Sequence, residues 1–228
     1  MESNNRVTYF ADIVFCIDAT GSMGKVIGLV KRNALSFQQD LANAMKAKGK
    51  TIQQLRIRII AFRDYIADGE NAMMATDFFL LPDEVETFST CVNGIDASGG
   101  GDIPEDGLEA LAFAIRSKWT KEAAKKRHVI VVWTDAGVHE LGYGSKMGNY
   151  PDSMAKNFEE LTNWWGDDQL TGYMDPSAKR LLLFAPYTSY WKTISDNWDN
   201  VMHYPSVAGE GLKEIEYKQI IDAISNSI

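Results

Sequence analysis

The chain has 228 residues, 45% of them hydrophobic, and a formal net charge of −8. The length suits one α/β domain over residues 1–228, with apolar material enough for one large core. The acidic balance and the lack of a cationic tract argue against nucleic acid and anionic membranes as partners.

No apolar run reaches about 18 residues, so no helix is expected to span a bilayer. The opening MESNNRVTYFADIVFCID has no basic segment leading into an apolar stretch and a small-residue cleavage site, which points to the cytoplasm. Cys16 and Cys91 form neither a disulfide framework nor a zinc ligand set, and Cys16, within an apolar run, is expected as a buried free thiol.

The first apolar run, Ala11 to Ile17, suits a strand covered on both faces. Met23, Val26, Ile27, Val30, Phe37, Leu41 and Met45 keep a helical period, predicting one long amphipathic helix from Met23 to about Lys48. Leu55 to Phe62 is the second strand and Thr76 to Leu81 a short third one. Pro82 suits the first turn of a helix running to about Asn93. A glycine-rich loop, Ser98 to Asp106, leads into a helix marked by Leu108, Leu111, Ile115 and Trp119. His128 to Thr134 is the fourth strand, followed by a helix carrying Met154, Phe158, Leu161 and Trp165. Arg180 to Ala185 is the fifth strand. A short helix near Tyr190 to Trp198, a weak sixth strand from Val201 to Val207 and a last helix from about Gly211 complete the chain. This alternation predicts an α/β fold, doubly wound, with a mostly parallel six-stranded sheet and helices on both faces. Ligands in such sheets bind beyond the C-terminal ends of the strands.

Three loops at that edge carry chemistry. Asp18, Thr20 and Ser22 follow the first strand on alternate residues, so three oxygens converge in an extended turn. They suit a hard cation or, equally, a helix cap. Asp135 follows the fourth strand within TDAG, where a buried carboxylate is costly without compensation. The glycine-rich loop offers Asp102; alternatively, Pro104, Glu105 and Asp106 are a plain helix start complementing the dipole.

DATGSM directly after a buried strand, with VVWTDAG after a later one, resembles von Willebrand factor type A domains of intracellular and bacterial type. The resemblance covers nearly the whole chain. It implies a Rossmann-like fold with an antiparallel edge strand and a metal-ion-dependent adhesion site of the form D-x-S/T-x-S plus residues from two further loops. Asp18, Thr20 and Ser22 match the first loop and Asp135 the third. Adhesive members usually carry Thr in the second loop, where this chain offers Asp102. Asp18, Asp102 and Asp135 formally set −3 against a +2 ion, which weakens its attraction for a partner's carboxylate. The implied cofactor is Mg²⁺, with Mn²⁺ or Ca²⁺ as substitutes. The implied function is metal-dependent binding of a partner protein, without catalysis.

The alternative is a metal-dependent hydrolase or phosphatase using the same carboxylates. Asp18-Ala19-Thr20 matches the haloacid-dehalogenase motif in its first position only, and Thr20 cannot replace the second Asp as general acid. Gly21 and Gly24 stand two residues apart where a P-loop needs four. His139 offers a base four residues after Asp135, or plain polar surface. The aromatic residues Trp164, Trp165, Tyr173, Tyr187, Tyr190 and Trp191 suit either a partner surface or core.

Overall fold

The computed structural model describes residues 7–101, 104–166, 172–210, 212 and 216–228. Its centre is a sheet of strands β1 (Val7–Asp18), β2 (Lys50–Phe62), β3 (Met73–Ala75), β4 (Phe79–Leu81), β5 (Lys126–Trp133), β6 (Lys179–Pro186) and β7 (Val201–Ser206). The order is β3-β2-β1-β5-β6-β7, with β4 also paired to β2. All principal pairings are parallel, while β3 and β4 run antiparallel along β2. The expected α/β class, parallel sheet and antiparallel edge strand are therefore present.

Of the expected edge strand, Thr76 to Leu81, the part Phe79–Leu81 forms β4, and a further short strand, β3, precedes it, so the described residues hold seven strands where six are expected. Between β3 and β4, the Thr76 hydroxyl accepts from the Ile59 N–H at 3.1 Å, and the Arg58 Nε donates to the Thr76 carbonyl at 2.7 Å. Side chains thus occupy places that ladder bonds would fill. The first two strands also start earlier than expected, extending by the register Val7 to Lys50 with a bulge at Tyr9/Phe10.

The helices are α1 (Gly24–Asn33), α2 (Phe37–Ala47), α3 (Tyr65–Asp68), α4 (Val85–Asn93), α5 (Gly107–Ile115), α6 (Phe158–Trp165), α7 (Ser189–Asn197) and α8 (Tyr217–Ser227). The single long helix expected from Met23 to Lys48 is in fact α1 and α2. The Asn33 amide donates back to the Leu29 carbonyl, and the Ser36 hydroxyl to the Asn33 carbonyl, in competition with the helical ladder. Pro82 precedes α4 rather than opening it. The last helix begins at Tyr217, where Glu216 and Gln219 cap each other's backbone N–H groups reciprocally; Gly211 lies outside the described residues.

Alternation along the strands divides the core between the two faces. Ile13, Phe15 and Ile17 of β1 pack with α1, α2, α4 and α8. Val14 and Cys16 face α5, α6 and α7. Both cysteines are free, and Cys16 is buried as expected.

Candidate metal centre

Strands β1, β2 and β5 end level with one another: Ile17 pairs with Trp133 and Asp18 with Phe62. Whatever follows each strand therefore emerges at one place. Asp18, fully buried, accepts from the Thr20 N–H at 2.9 Å and the Thr20 hydroxyl at 2.6 Å through one oxygen. Its other oxygen accepts from the Thr134 hydroxyl at 2.7 Å. The Ser22 hydroxyl donates to Asp135 Oδ1 at 2.8 Å across 113 residues of sequence, and lies 3.5 Å from the Thr20 hydroxyl. The structure thus brings Asp18, Thr20, Ser22 and Asp135 together. Asp102, the fifth predicted ligand, lies outside the described residues. Among the described residues no three His, Cys, Asp or Glu side chains form a metal-holding group. What converges is two carboxylates with the hydroxyls of Thr20, Ser22 and Thr134.

The glycine-rich loop is pressed against this knot. Gly99 and Gly100 adopt φ of +75° and +79°, and a Cβ on Gly99 would stand 1.9 Å from Asp68 Oδ1. A Cβ on Gly100 would stand 2.9 Å from the Thr20 methyl and 3.0 Å from Glu105 Oε1. Only glycine allows both the conformation and the approach. The Gly100 N–H donates to Asp68 at 3.1 Å. Arg63, directly after β2, ties the loops together. Its Nε donates to the carbonyls of Ala19 and Ser98 at 3.1 and 2.7 Å, Nη1 to Asn71 at 2.8 Å and Nη2 to Asp96 at 2.6 Å.

Electrostatics here run against ionised carboxylates. Burial pushes Asp18 up to about 6, against the pull of its bonds from Thr20 and Thr134, and Asp135 adds to the push. Burial, then the charges of Asp18, Asp64, Asp68 and Asp106, drive Glu105 up to about 9. Asp106 rises to about 7 through burial and Glu109. Among the described residues, Glu105 Oε2 is buried without a hydrogen-bond partner. A cation beside Asp18 would favour its ionised form.

The alternative reading of the glycine-rich loop makes Glu105 and Asp106 part of a plain helix start. Instead both are buried, Glu105 bridges to Val138, and α5 begins after them at Gly107. His139, expected as either a base or polar surface, is buried: it bonds Asp64 at 2.8 Å and stacks on Tyr143 at 4.0 Å. Of the aromatic group, Trp164, Trp165 and Trp191 are core, while Tyr173 and Tyr187 are half exposed. Arg63, Asp68, Glu105 and Thr134 are the site residues that pattern reading passed over. A signal existed for two of them. Arg63 follows the last residue of a buried strand, and Thr134 directly precedes Asp135, so topology alone places both at the ligand-binding edge.

Known proteins resemble this chain in sequence and in fold. Residues 12–148 match the family described as von Willebrand factor A domain. The chain is 26% identical over 146 residues to the alpha-protein kinase vwkA of Dictyostelium discoideum, covering 64% of this chain and 21% of that protein. It is 24% identical over 180 residues to a putative ariadne-like RING finger protein of Acanthamoeba polyphaga mimivirus, covering 77% and 15% respectively. The chain thus spans about a fifth or less of these relatives. Among solved structures, the pilus adhesin SpaC of Lactobacillus rhamnosus GG superposes with a TM-score of 0.51 at 14% identity, over 96% of this chain and 30% of the adhesin. Among the described residues no helix is long and apolar enough to cross a membrane. With the family match covering more than half of its length and the parallel sheet in place, the chain belongs to the von Willebrand factor A domain family.

Proposed function

We propose that this domain binds a partner protein through a divalent cation held at the ends of β1 and β5. Asp18, Thr20, Ser22 and Asp135 would hold the ion, with Asp102 from the glycine-rich loop as the further ligand. The observation that carries this reading is the Ser22–Asp135 hydrogen bond at 2.8 Å, which joins two distant loops beside the Asp18–Thr20 pair. Each hydroxyl gives its proton to a carboxylate, so its lone pairs face away and are free for a cation. All donors are oxygen, which suits Mg²⁺, with Mn²⁺ or Ca²⁺ as substitutes, and disfavours zinc. The buried Glu105 Oε2, without a hydrogen-bond partner among the described residues, and the glycine cradle beside Thr20 fit an added positive charge. When bound, the ion supplies an electrophile that can accept an oxygen from an acidic partner residue.

The test is capture of partners from a source lysate with Mg²⁺ and with chelator, read by mass spectrometry, alongside calorimetric Mg²⁺ titration. Proteins retained only with metal, and lost in Asp135→Ala, are the expected outcome. Absence of heat and of any thermal shift with millimolar Mg²⁺ or Mn²⁺ would sink the reading.

A further inference from the structure

We propose that Arg63 is the positioning residue of the metal site, an inference that rests on the metal reading above. Its guanidinium holds the first loop and the glycine-rich loop at a single spacing. All four of its acceptors are backbone carbonyls: Ala19 from the first loop, Asp96 and Ser98 ahead of the glycines, and Asn71 from the turn after α3. The backbone adds to the clasp, since the Arg63 N–H donates to the Ala72 carbonyl and its own carbonyl accepts from the Asp106 N–H. Among the described residues, two direct backbone bonds join the same loops, Gly21 N–H to the Gly99 carbonyl at 3.4 Å and Ser98 N–H to the Ala19 carbonyl at 3.0 Å. The first of these is long, so the planar fork of Arg63 is the stronger tie.

The assignment runs against simple charge. A guanidinium beside a cation site repels the ion, so an electrostatic role alone predicts tighter metal binding when the charge is removed. A positioning role predicts weaker binding, because the donors of the two loops no longer converge. Lysine keeps the charge and loses the fork; methionine loses both.

The experiment compares wild type, Arg63→Lys and Arg63→Met by calorimetric Mg²⁺ titration, metal-free thermal unfolding and amide hydrogen exchange. Both variants are expected to lose on the order of tenfold to a hundredfold in Mg²⁺ affinity. The Gly21 and Ser98 amides should exchange faster, while those of β1 and β5 stay protected. Wild-type affinity in Arg63→Lys overturns the proposal, as does tighter binding in Arg63→Met. A lower melting temperature with unchanged affinity also overturns it, since the role would then be structural alone. If the wild type takes up no Mg²⁺, the metal reading fails by itself and exchange decides about Arg63. Faster exchange at Gly21 and Ser98 then still supports the clasp, and unchanged exchange rejects it.

Discussion

A carboxylate at the end of a fully paired central strand is out of reach of bulk water, so its neighbours decide its state. Asp18 is served by Thr20 on one oxygen and Thr134 on the other. Thr134 also accepts the Ala136 N–H at 3.0 Å. Thr134→Val would leave an acceptor and a donor unpaired in a buried place, and should cost about 1–3 kcal/mol of stability in the metal-free protein, measured by denaturant unfolding. Asp102 invites the opposite kind of substitution. Asp102→Thr exchanges a carboxylate for a hydroxyl, so Mg²⁺ affinity should fall while the loaded site binds an acidic peptide more tightly. Parallel titrations of Mg²⁺ and peptide check both, and unchanged Mg²⁺ affinity would remove Asp102 from the ligand set. Motif spacing made the meeting of Asp18, Thr20, Ser22 and Asp135 legible because each lies in a loop that leaves a strand end at the same sheet edge. Glu105 was not legible. Its burial depends on a bridge to Val138 and on glycines that admit close approach, and neither leaves a periodic trace.

At the scale of elements, β1 carries two buried aspartates on one face, Asp12 and Asp18, six residues apart. At about 3.3 Å per residue they stand roughly 20 Å from each other. Asp12 is paired in register with Arg56, which donates to it twice, at 2.8 and 2.6 Å, and the Thr120 N–H adds a third bond at 2.7 Å. Asp12 is therefore structural. Asp12→Ala strands the partly buried Arg56 and should cost about 3 kcal/mol or more in thermal or denaturant unfolding, with Mg²⁺ affinity unchanged. A loss of metal affinity in that variant would mean that the two ends of β1 are coupled. The elements that periodicity misjudged share one cause. The α1–α2 break and the β3–β4 break are both made by polar side chains bonding to backbone, at Asn33 and Ser36 and at Arg58 and Thr76. Hydrophobic spacing continues unchanged through both breaks, so it cannot register them.

For the whole molecule, the raised carboxyls link stability to pH. Asp106 and Glu105 titrate near 7 and 9 in the fold, well above the unfolded values near 4. The native state thus holds more protons than the unfolded chain between those limits. This contribution is present at low pH and is lost as pH rises through the folded values. Buried His128 acts in the opposite sense: burial lowers its affinity for a proton, so its contribution is present above about pH 6.5 and lost below. From about pH 6.5 upward the carboxyls dominate. Metal-free stability should therefore decline toward pH 9, while the stabilisation by Mg²⁺ grows because the ion needs ionised ligands. Melting curves with and without Mg²⁺ across that range check both trends, and parallel curves with a constant gap would contradict them. The broken strand along β2 has a different consequence, for self-association. A long flat sheet edge is a template for another chain. On this side β3 and β4 offer only three residues each, interrupted where Arg58 and Thr76 take up ladder positions. At the other margin β7 carries Pro205, which has no N–H to donate. Neither margin presents an unbroken row of backbone groups, so the domain can keep a highly apolar sheet without inviting edge-to-edge stacking into fibres.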